Sequence, residues 1–192
     1  QLRPLIETAW ETGELAPCVA VTPSCGASFY MDFKDGRQNW ETLVADRLPE
    51  HVRRIHGGID RRTMLCGVSM GGSGVLRMAL KWPERFVAAA ALEPGIEEAF
   101  AYRDIPLRSR FWREPRYEDV FGDPVDEAYW QANSIANLAR DNTARLRASG
   151  LKLYLEAGTD DESDRGAPRW GWERLHRTGG FGASAVRLTM RT

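Results

Sequence analysis

The sequence predicts an α/β fold in which a mostly parallel sheet is flanked by helices. Short apolar runs alternate along the chain with longer stretches of helical periodicity. Most of these apolar runs are continuous instead of alternating with polar residues, which is typical of strands covered on both faces. The connections between them are short. Together these observations favour a doubly wound sheet.

Five apolar runs are predicted to be strands, and four periodic stretches are predicted to be helices. The predicted strands are 18–21, 63–66, 86–92, 151–155 and 186–190. The predicted helices are 40–55, 74–82, 133–149 and 170–178. Pro83 and Gly150 directly follow the second and third helices, where helix-ending residues are expected. Pro49 is expected to break or kink the first helix.

The chain is predicted to be a single domain over residues 1–192. This length fits one domain with a sizeable core, and no linker or repeat divides it. The stretch 94–131 is rich in aromatic residues and proline and has no clean period. Such an insertion is typical of a lid or a substrate-binding excursion, and equally of a packed, irregular surface layer.

Charge and composition exclude several classes of partner. The formal net charge is -1, with 26 basic and 27 acidic residues, so no basic excess attracts nucleic acid or an anionic membrane. No apolar run approaches the ~18 residues of a membrane span. The three cysteines have no metal-ligand spacing, which favours reduced thiols in a cytoplasmic protein. We therefore expect no metal and no cofactor.

Residues 67–71 read Gly-Val-Ser-Met-Gly, the G-x-S-x-G pattern of a nucleophile elbow. The pattern alone is weak, but here a predicted strand enters it and a predicted helix leaves it. In an elbow the serine lies on a tight, strained turn that lifts its hydroxyl out of the sheet, so Ser69 is the predicted nucleophile. Gly67 and Gly71 meet the need for small neighbours, and Gly72 permits close packing of the helix.

The elbow also supplies part of an oxyanion hole. The backbone N–H of Met70 is the predicted donor, and the helix directs its positive N-terminal end toward the site. The alternative is a glycine-rich turn that carries an incidental serine.

A serine nucleophile needs a base, and the base needs an acid that orients it. In this arrangement the chain order is serine, acid, histidine. The predicted strand 151–155 runs into a turn that holds several carboxylates: Asp160, Asp161, Glu162 and Asp164. One of them is the expected acid, although such a cluster is otherwise usually a solvated loop.

Five segments resemble the esterase-D-like serine hydrolases of the α/β-hydrolase superfamily. They are residues 14–30, 40–42, 67–72, 82–86 and 155–161. That group includes S-formylglutathione hydrolases, feruloyl esterases and mycolyltransferases. The resemblance implies hydrolysis of a small-molecule carboxylic ester or thioester through an acyl-enzyme on Ser69. The family's glycine, two residues, acid pattern falls on Gly158 and Asp161, with Asp160 and Glu162 as alternatives.

The resemblance also implies an α/β-hydrolase-type fold that is incomplete at its N-terminal strands and its C-terminal loop. In the family, early strands provide the second oxyanion donor, and the catalytic histidine follows the last strand, here expected beyond Thr192. His51 and His56 precede the nucleophile, and His176 lies on a predicted helix. Each of the three is expected to be a surface or helix-packing residue.

Three functions compete at this point. The first is ester hydrolysis, the second is acyl transfer to an alcohol or sugar through the same acyl-enzyme, and the third is a non-catalytic binding domain that retains the fold. An intact elbow argues against the third, because the fold alone does not require Ser69.

The elbow predicts a specific geometry around Ser69. The strand ending near Cys66 should be central in a parallel sheet, and Ser69 should follow it with a positive φ. The carboxylate of Asp161 should lie on the order of 7 Å from the serine hydroxyl, so that one imidazole can bridge them.

We predict that the chain of 192 residues by itself does not turn over esters at an enzyme-like rate, since it lacks the expected base. Loss of a triad member costs several orders of magnitude in rate, and loss of an oxyanion donor a further ~10²–10³. Hydrolysis of p-nitrophenyl acetate by the folded chain should match that of its Ser69→Ala variant. Turnover that depends on Ser69 would instead place the base within these residues, and His176→Ala would identify it.

Overall fold

The computed structural model describes residues 2–57, 62–97, 99–105, 116–158 and 186–191. Its centre is a sheet of four strands in the order β1-β2-β3-β4, in which every neighbouring pair is parallel. The strands are β1 (Met64–Val68), β2 (Ala88–Leu92), β3 (Lys152–Gly158) and β4 (Val186–Arg191). Parallel strands that follow one another in chain order confirm the predicted fold class and four of the five predicted strands.

Two sequence expectations about the sheet are wrong. Residues 18–21 form no strand, and Val19 and Val21 are 41% and 45% exposed. An apolar run becomes a strand only when a neighbouring strand completes its hydrogen bonds, and no described strand pairs with this run. The strand that ends near Cys66 is not central in the described sheet, because β1 lies at its end and pairs only with β2 among the described strands.

Five helical elements of the described chain precede β2, apart from a 3₁₀ turn at Pro83–Arg85. They are α1 (Leu2–Glu11), α2 (Trp40–Thr42), a π-helical turn (Leu43–Arg47), α3 (Leu48–His56) and α4 (Met70–Lys81). The predicted helix 40–55 is thus one helical run whose hydrogen-bonding pattern changes just before Pro49. Proline is tolerated in the first turn of α3, where its missing N–H disrupts least.

Helix α4 is the most deeply buried helix of the described chain. Every residue from Gly72 to Leu80 is buried, and Leu76, Ala79 and Leu80 are completely so. It packs against β1 and β2 and forms the main core with apolar residues of the sheet and of the later helices. This burial on all sides fixes the helix, and therefore fixes the turn from which it begins.

The described chain continues with a 3₁₀ turn at Tyr102–Asp104 and four shorter α-helices, namely α5 (Arg116–Phe121), α6 (Glu127–Asn133), α7 (Ile135–Asp141) and α8 (Thr143–Ser149). The predicted helix 133–149 is interrupted at Asn142, whose side-chain amide donates to the carbonyl of Leu80 at 2.9 Å. Gly150 ends α8 with a φ of +74°, the left-handed conformation for which its position predicted glycine.

The described part of the stretch 94–131 forms a second core cluster. Its buried members are Ala99, Ile105, Tyr117, Val120, Phe121 and Trp130, together with Phe29, Met31 and Phe33 from the earlier chain. Most of the aromatic rings that suggested a lid therefore pack inside this layer. Phe111 and Trp112 lie outside the described residues.

Candidate active site

Ser69 is the single residue between the end of β1 and the start of α4. Its φ is 53° and its ψ is -117°, so its backbone is left-handed, as predicted. A non-glycine residue in such a conformation costs on the order of 1–3 kcal/mol, and the surrounding structure must hold it there. The N–H of Ser69 donates to the carbonyl of Leu92 at 2.8 Å, which ties the turn to the neighbouring strand.

Two of the three glycines in the motif are required by sterics. A Cβ atom on Gly67 would lie 2.3 Å from the carbonyl oxygen of Gly71, and one on Gly72 would lie 2.9 Å from that of Leu92. Both separations are shorter than real Cβ contacts. A Cβ on Gly71 would lie 3.8 Å from its nearest neighbour, the Cε2 atom of Tyr30, which is an ordinary contact. Position 71 was expected to need a small residue, and a single Cβ atom fits there, so glycine is sterically required at positions 67 and 72 but not at position 71.

The hydroxyl of Ser69 does not cap helix α4. Ser69 is the N-cap residue of α4, yet its side chain makes no capping hydrogen bond, although serine usually caps in this way. The hydroxyl lies at the N-terminus of a helix of 12 residues, where unpaired N–H groups and the helix dipole favour a developing negative charge. Met70 is the first helical residue, and its side chain packs against the second core cluster.

The neighbouring strand end carries a second strained residue that the sequence did not reveal. Glu93 follows β2 with a φ of 47°, and its N–H donates to the carbonyl of Glu156 at 2.8 Å. Val68 pairs with Leu92 and Leu92 with Glu156, so three strand ends are aligned at one edge of the sheet. No sequence pattern marks a left-handed glutamate, and this half-buried carboxylate beside the elbow was therefore missed.

The candidate acids Asp160, Asp161 and Glu162 lie outside the described residues, as does His176. The structure does show where the chain enters that segment. Strand β3 ends at Gly158, on the same edge as Ser69 and separated from β1 only by β2. Adjacent strands lie about 4.8 Å apart, so Glu156, which is level with Val68 in the register, lies about 10 Å from it, and β3 continues two residues beyond that level to Gly158.

The other two histidines lie on α3, which precedes β1. Both are exposed, and the Nδ1 atom of His51 lies 2.9 Å from the Nη2 atom of Arg54. His56 is the last residue of α3. Ser69 follows the opposite, carboxyl end of β1, and these histidines are surface residues as expected.

A left-handed serine at a strand–turn–helix junction, at the carboxyl edge of a parallel sheet, has the geometry of a nucleophile elbow in the α/β-hydrolase fold. The comparison with family models agrees with this class. The model of the Esterase family matches residues 8–176. This chain belongs to that family.

Individual relatives are similar over most of the chain. An acetyl esterase from Caldicellulosiruptor saccharolyticus is 29% identical over 148 residues, which cover 72% of this chain and 53% of the relative. The diacylglycerol acyltransferase/mycolyltransferase Ag85A of Mycobacterium tuberculosis is 24% identical, over 75% of this chain and 40% of its own length.

Among solved structures, an S-formylglutathione hydrolase from Agrobacterium tumefaciens is similar with a TM-score of 0.60 and 26% identity. The similarity covers 85% of this chain and 53% of that one. The chain thus spans about half the length of the curated relatives it matches.

The described residues include neither a membrane-spanning helix nor a cluster of metal ligands. No described helix has the length and apolar character needed to cross a bilayer. Within the same residues, no group of three or more potential ligands is placed to hold a metal ion.

The two outer glycines of the motif should respond differently to alanine. Gly67→Ala forces a clash between backbone atoms and should lower the free energy of unfolding by about 1–3 kcal/mol. Gly71→Ala should leave it unchanged or raise it by up to ~1 kcal/mol, because alanine favours the helix. Urea unfolding of both variants measures the difference. Equal destabilisation would show that the close approach at Gly67 is not the constraint.

Proposed function

We propose that the protein containing this chain hydrolyses a carboxylic ester or thioester of a small molecule through an acyl-enzyme on Ser69. The observation that carries the proposal is the strained turn at Ser69, whose hydroxyl lies at a helix N-terminus without making a capping hydrogen bond. Strain of this kind is concentrated at functional sites, where it is part of the mechanism. Membership of the Esterase family and the similarity to an acetyl esterase support the same reaction.

The reaction follows from this geometry in two halves. A base removes the proton from the Oγ atom of Ser69, and the oxygen attacks the carbonyl carbon of the ester. Negative charge moves to the carbonyl oxygen, which the N–H of Met70 and the N-terminus of α4 stabilise. The carbon–oxygen bond to the alcohol breaks, and the alcohol leaves with the proton held by the base. In the second half, water attacks the acyl-enzyme and releases the acid and Ser69.

The base is an imidazole that Asp161 orients through a hydrogen bond. The position of Asp161, three residues after the end of β3, supports this role, since parallel strands bring their carboxyl ends to one edge of the sheet. Asp160 and Glu162 remain the alternatives, because either also follows the same strand end.

Acyl transfer is the second candidate function, and the similarity to Ag85A favours it. The acyl-enzyme is the same, but an alcohol replaces water in the second half. The two functions are separated by product analysis: with an added alcohol acceptor at millimolar concentration in water, a transferase forms mainly the new ester, whereas a hydrolase forms mainly the free acid.

The absence of disulfides among the described cysteines is compatible with the cytoplasmic location proposed from the sequence. Cys18, Cys25 and Cys66 are free thiols. In an oxidising compartment exposed thiols such as Cys18 and Cys66 would be open to oxidation.

Ser69→Ala in the natural protein that carries these residues should lower kcat for p-nitrophenyl acetate by about 10³-fold or more, because the nucleophile is lost. Ser149→Ala, which removes a hydroxyl from the end of α8, is the matched control and should leave kcat unchanged. Equal rates for Ser69→Ala and the unmodified protein would refute the proposed function.

Asp161→Asn should lower kcat by about 10⁴-fold, because the imidazole loses the carboxylate that orients it and stabilises its charged form. Asp160→Asn and Glu162→Gln remove the same charge from adjacent positions and should change kcat less than about threefold. The three variants are compared with the same ester. A larger loss of kcat in either neighbouring variant would identify that residue as the acid.

A further inference from the structure

Two consecutive residues before the elbow share its unusual backbone. Phe29 has a φ of 54° and Tyr30 a φ of 53°, so this segment contains two left-handed residues in a row, neither of them glycine. Each costs free energy unless its surroundings hold it in place. Phe29 is buried in the second core cluster, whereas Tyr30 is half-buried. Contacts from other segments must therefore hold this pair in place.

A buried arginine on the elbow helix provides the main polar contact. Arg77 lies in α4 and is 8% exposed. Its Nη1 atom donates to the carbonyl of Phe29 at 2.8 Å, and its Nε atom donates to the carbonyl of Asn133 at 3.0 Å. One planar guanidinium thus connects the helix that follows Ser69 to two segments distant in sequence.

The charge of Arg77 belongs to a buried network. Burial lowers the pKa of Arg77, and the carboxylate of Glu41, with smaller contributions from Tyr117 and Tyr129, opposes this shift. Lys81, one turn further along α4, donates to Glu41 at 2.6 Å and also to the side chain of Asn133. Replacing such a buried ionic group by apolar residues is often neutral or favourable for stability, so stability alone is a poor explanation for it. What the network does achieve is a defined position for its partners.

The left-handed pair packs directly on the elbow. A Cβ atom on Gly74 would lie 2.7 Å from the Cβ atom of Tyr30, so Tyr30 fits against α4 only because residue 74 is glycine. The ring of Tyr30 reaches back to Gly71, two residues after the nucleophile. Phe29 belongs to the cluster against which the side chain of Met70 packs. Displacement of Phe29 and Tyr30 would therefore remove support from the first turn of α4.

We propose that Arg77 is a positioning residue for the reaction: by holding the carbonyl of Phe29, it keeps Phe29 and Tyr30 against the first turn of α4 and so fixes the N–H of Met70 at the site of the oxyanion. This inference rests on the proposed function. Arg77 lies eight residues beyond Ser69 and is buried between α4 and the carbonyls it binds, so it acts through these contacts and not on the substrate.

The kinetic test compares Arg77→Met and Arg77→Lys with Leu146→Ala, a buried residue of the other core cluster, in the natural protein. If the N–H of Met70 is held less firmly, it stabilises the transition state less. Both Arg77 variants should therefore lower kcat for p-nitrophenyl acetate by about 10- to 100-fold. KM should change less than about threefold. Lysine retains the positive charge, but its ammonium group cannot reproduce the two hydrogen bonds that the planar guanidinium makes in different directions. It should therefore not restore kcat. Leu146→Ala should unfold more easily while kcat stays within about threefold.

A thiol measurement tests the positioning without using activity. Cys25 is 5% exposed, and it precedes Phe29 in a segment whose end is held by the bond from Arg77 and by one from the hydroxyl of Tyr30 to Pro23. Arg77→Met should raise the rate at which iodoacetamide alkylates Cys25 by about tenfold. Leu146→Ala should not change this rate. Peptide mass spectrometry identifies the alkylated cysteine, and the exposed Cys18 serves as the internal reference.

The outcomes separate this inference from the proposed function. Unchanged kcat in Arg77→Met overturns it, whether or not Cys25 becomes reactive, because Arg77 is then only structural. Equal losses of kcat in Leu146→Ala and Arg77→Met overturn it as well. If the unmodified protein and Ser69→Ala hydrolyse esters equally, the proposed function fails. In that case the inference, which rests on that function, falls with it, and the Cys25 rate then reports only whether Arg77 holds the segment of Phe29 and Tyr30 in place.

Discussion

The close approach of two backbone segments at the elbow is the constraint on which the rest of this structure depends. The carbonyl of Gly71 lies where a side chain at position 67 would have to be, so strand and helix meet with no space between them. The chain can reverse this sharply only if the residue between them adopts a left-handed backbone, and Ser69 does so. The hydroxyl of Ser69 is then set at the helix N-terminus, at the carboxyl edge of the sheet, and not on a strand face.

A strained turn persists because its surroundings over-determine it. On one side, the N–H of Ser69 is bound to the carbonyl of Leu92, which β2 holds in register. On the other side, α4 is buried from Gly72 to Leu80 between the sheet and the later helices. Movement of the elbow would disturb the main core, and the free energy of packing that core is larger than the strain.

The same helix also joins the two halves of the interior. Its apolar residues belong to the main core, whereas Arg77 and Lys81 form polar contacts toward the aromatic layer that contains Phe29 and Tyr129. Helix α4 is thus tied to the aromatic layer by the hydrogen bond from Arg77 to Phe29, and to the stretch 94–131 by one from the hydroxyl of Ser73 to the carbonyl of Gly95 at 2.8 Å. This arrangement places the aromatic cluster next to Met70, the candidate oxyanion donor.

The sequence by itself determined the class of fold, four strands and the elbow, because each depends on local patterns: continuous apolar runs, helical periodicity, and glycines around one serine. Tertiary structure decided the rest. The run at 18–21 has strong strand character but no described partner, and a strand is a property of two segments. That Gly67 and Gly72 are sterically required while Gly71 is not depends on which atoms lie opposite each, and these come from Leu92, Tyr30 and the elbow itself. The left-handed conformations of Phe29, Tyr30 and Glu93 carry no local signal, because only contacts from distant parts of the chain can hold a non-glycine residue there.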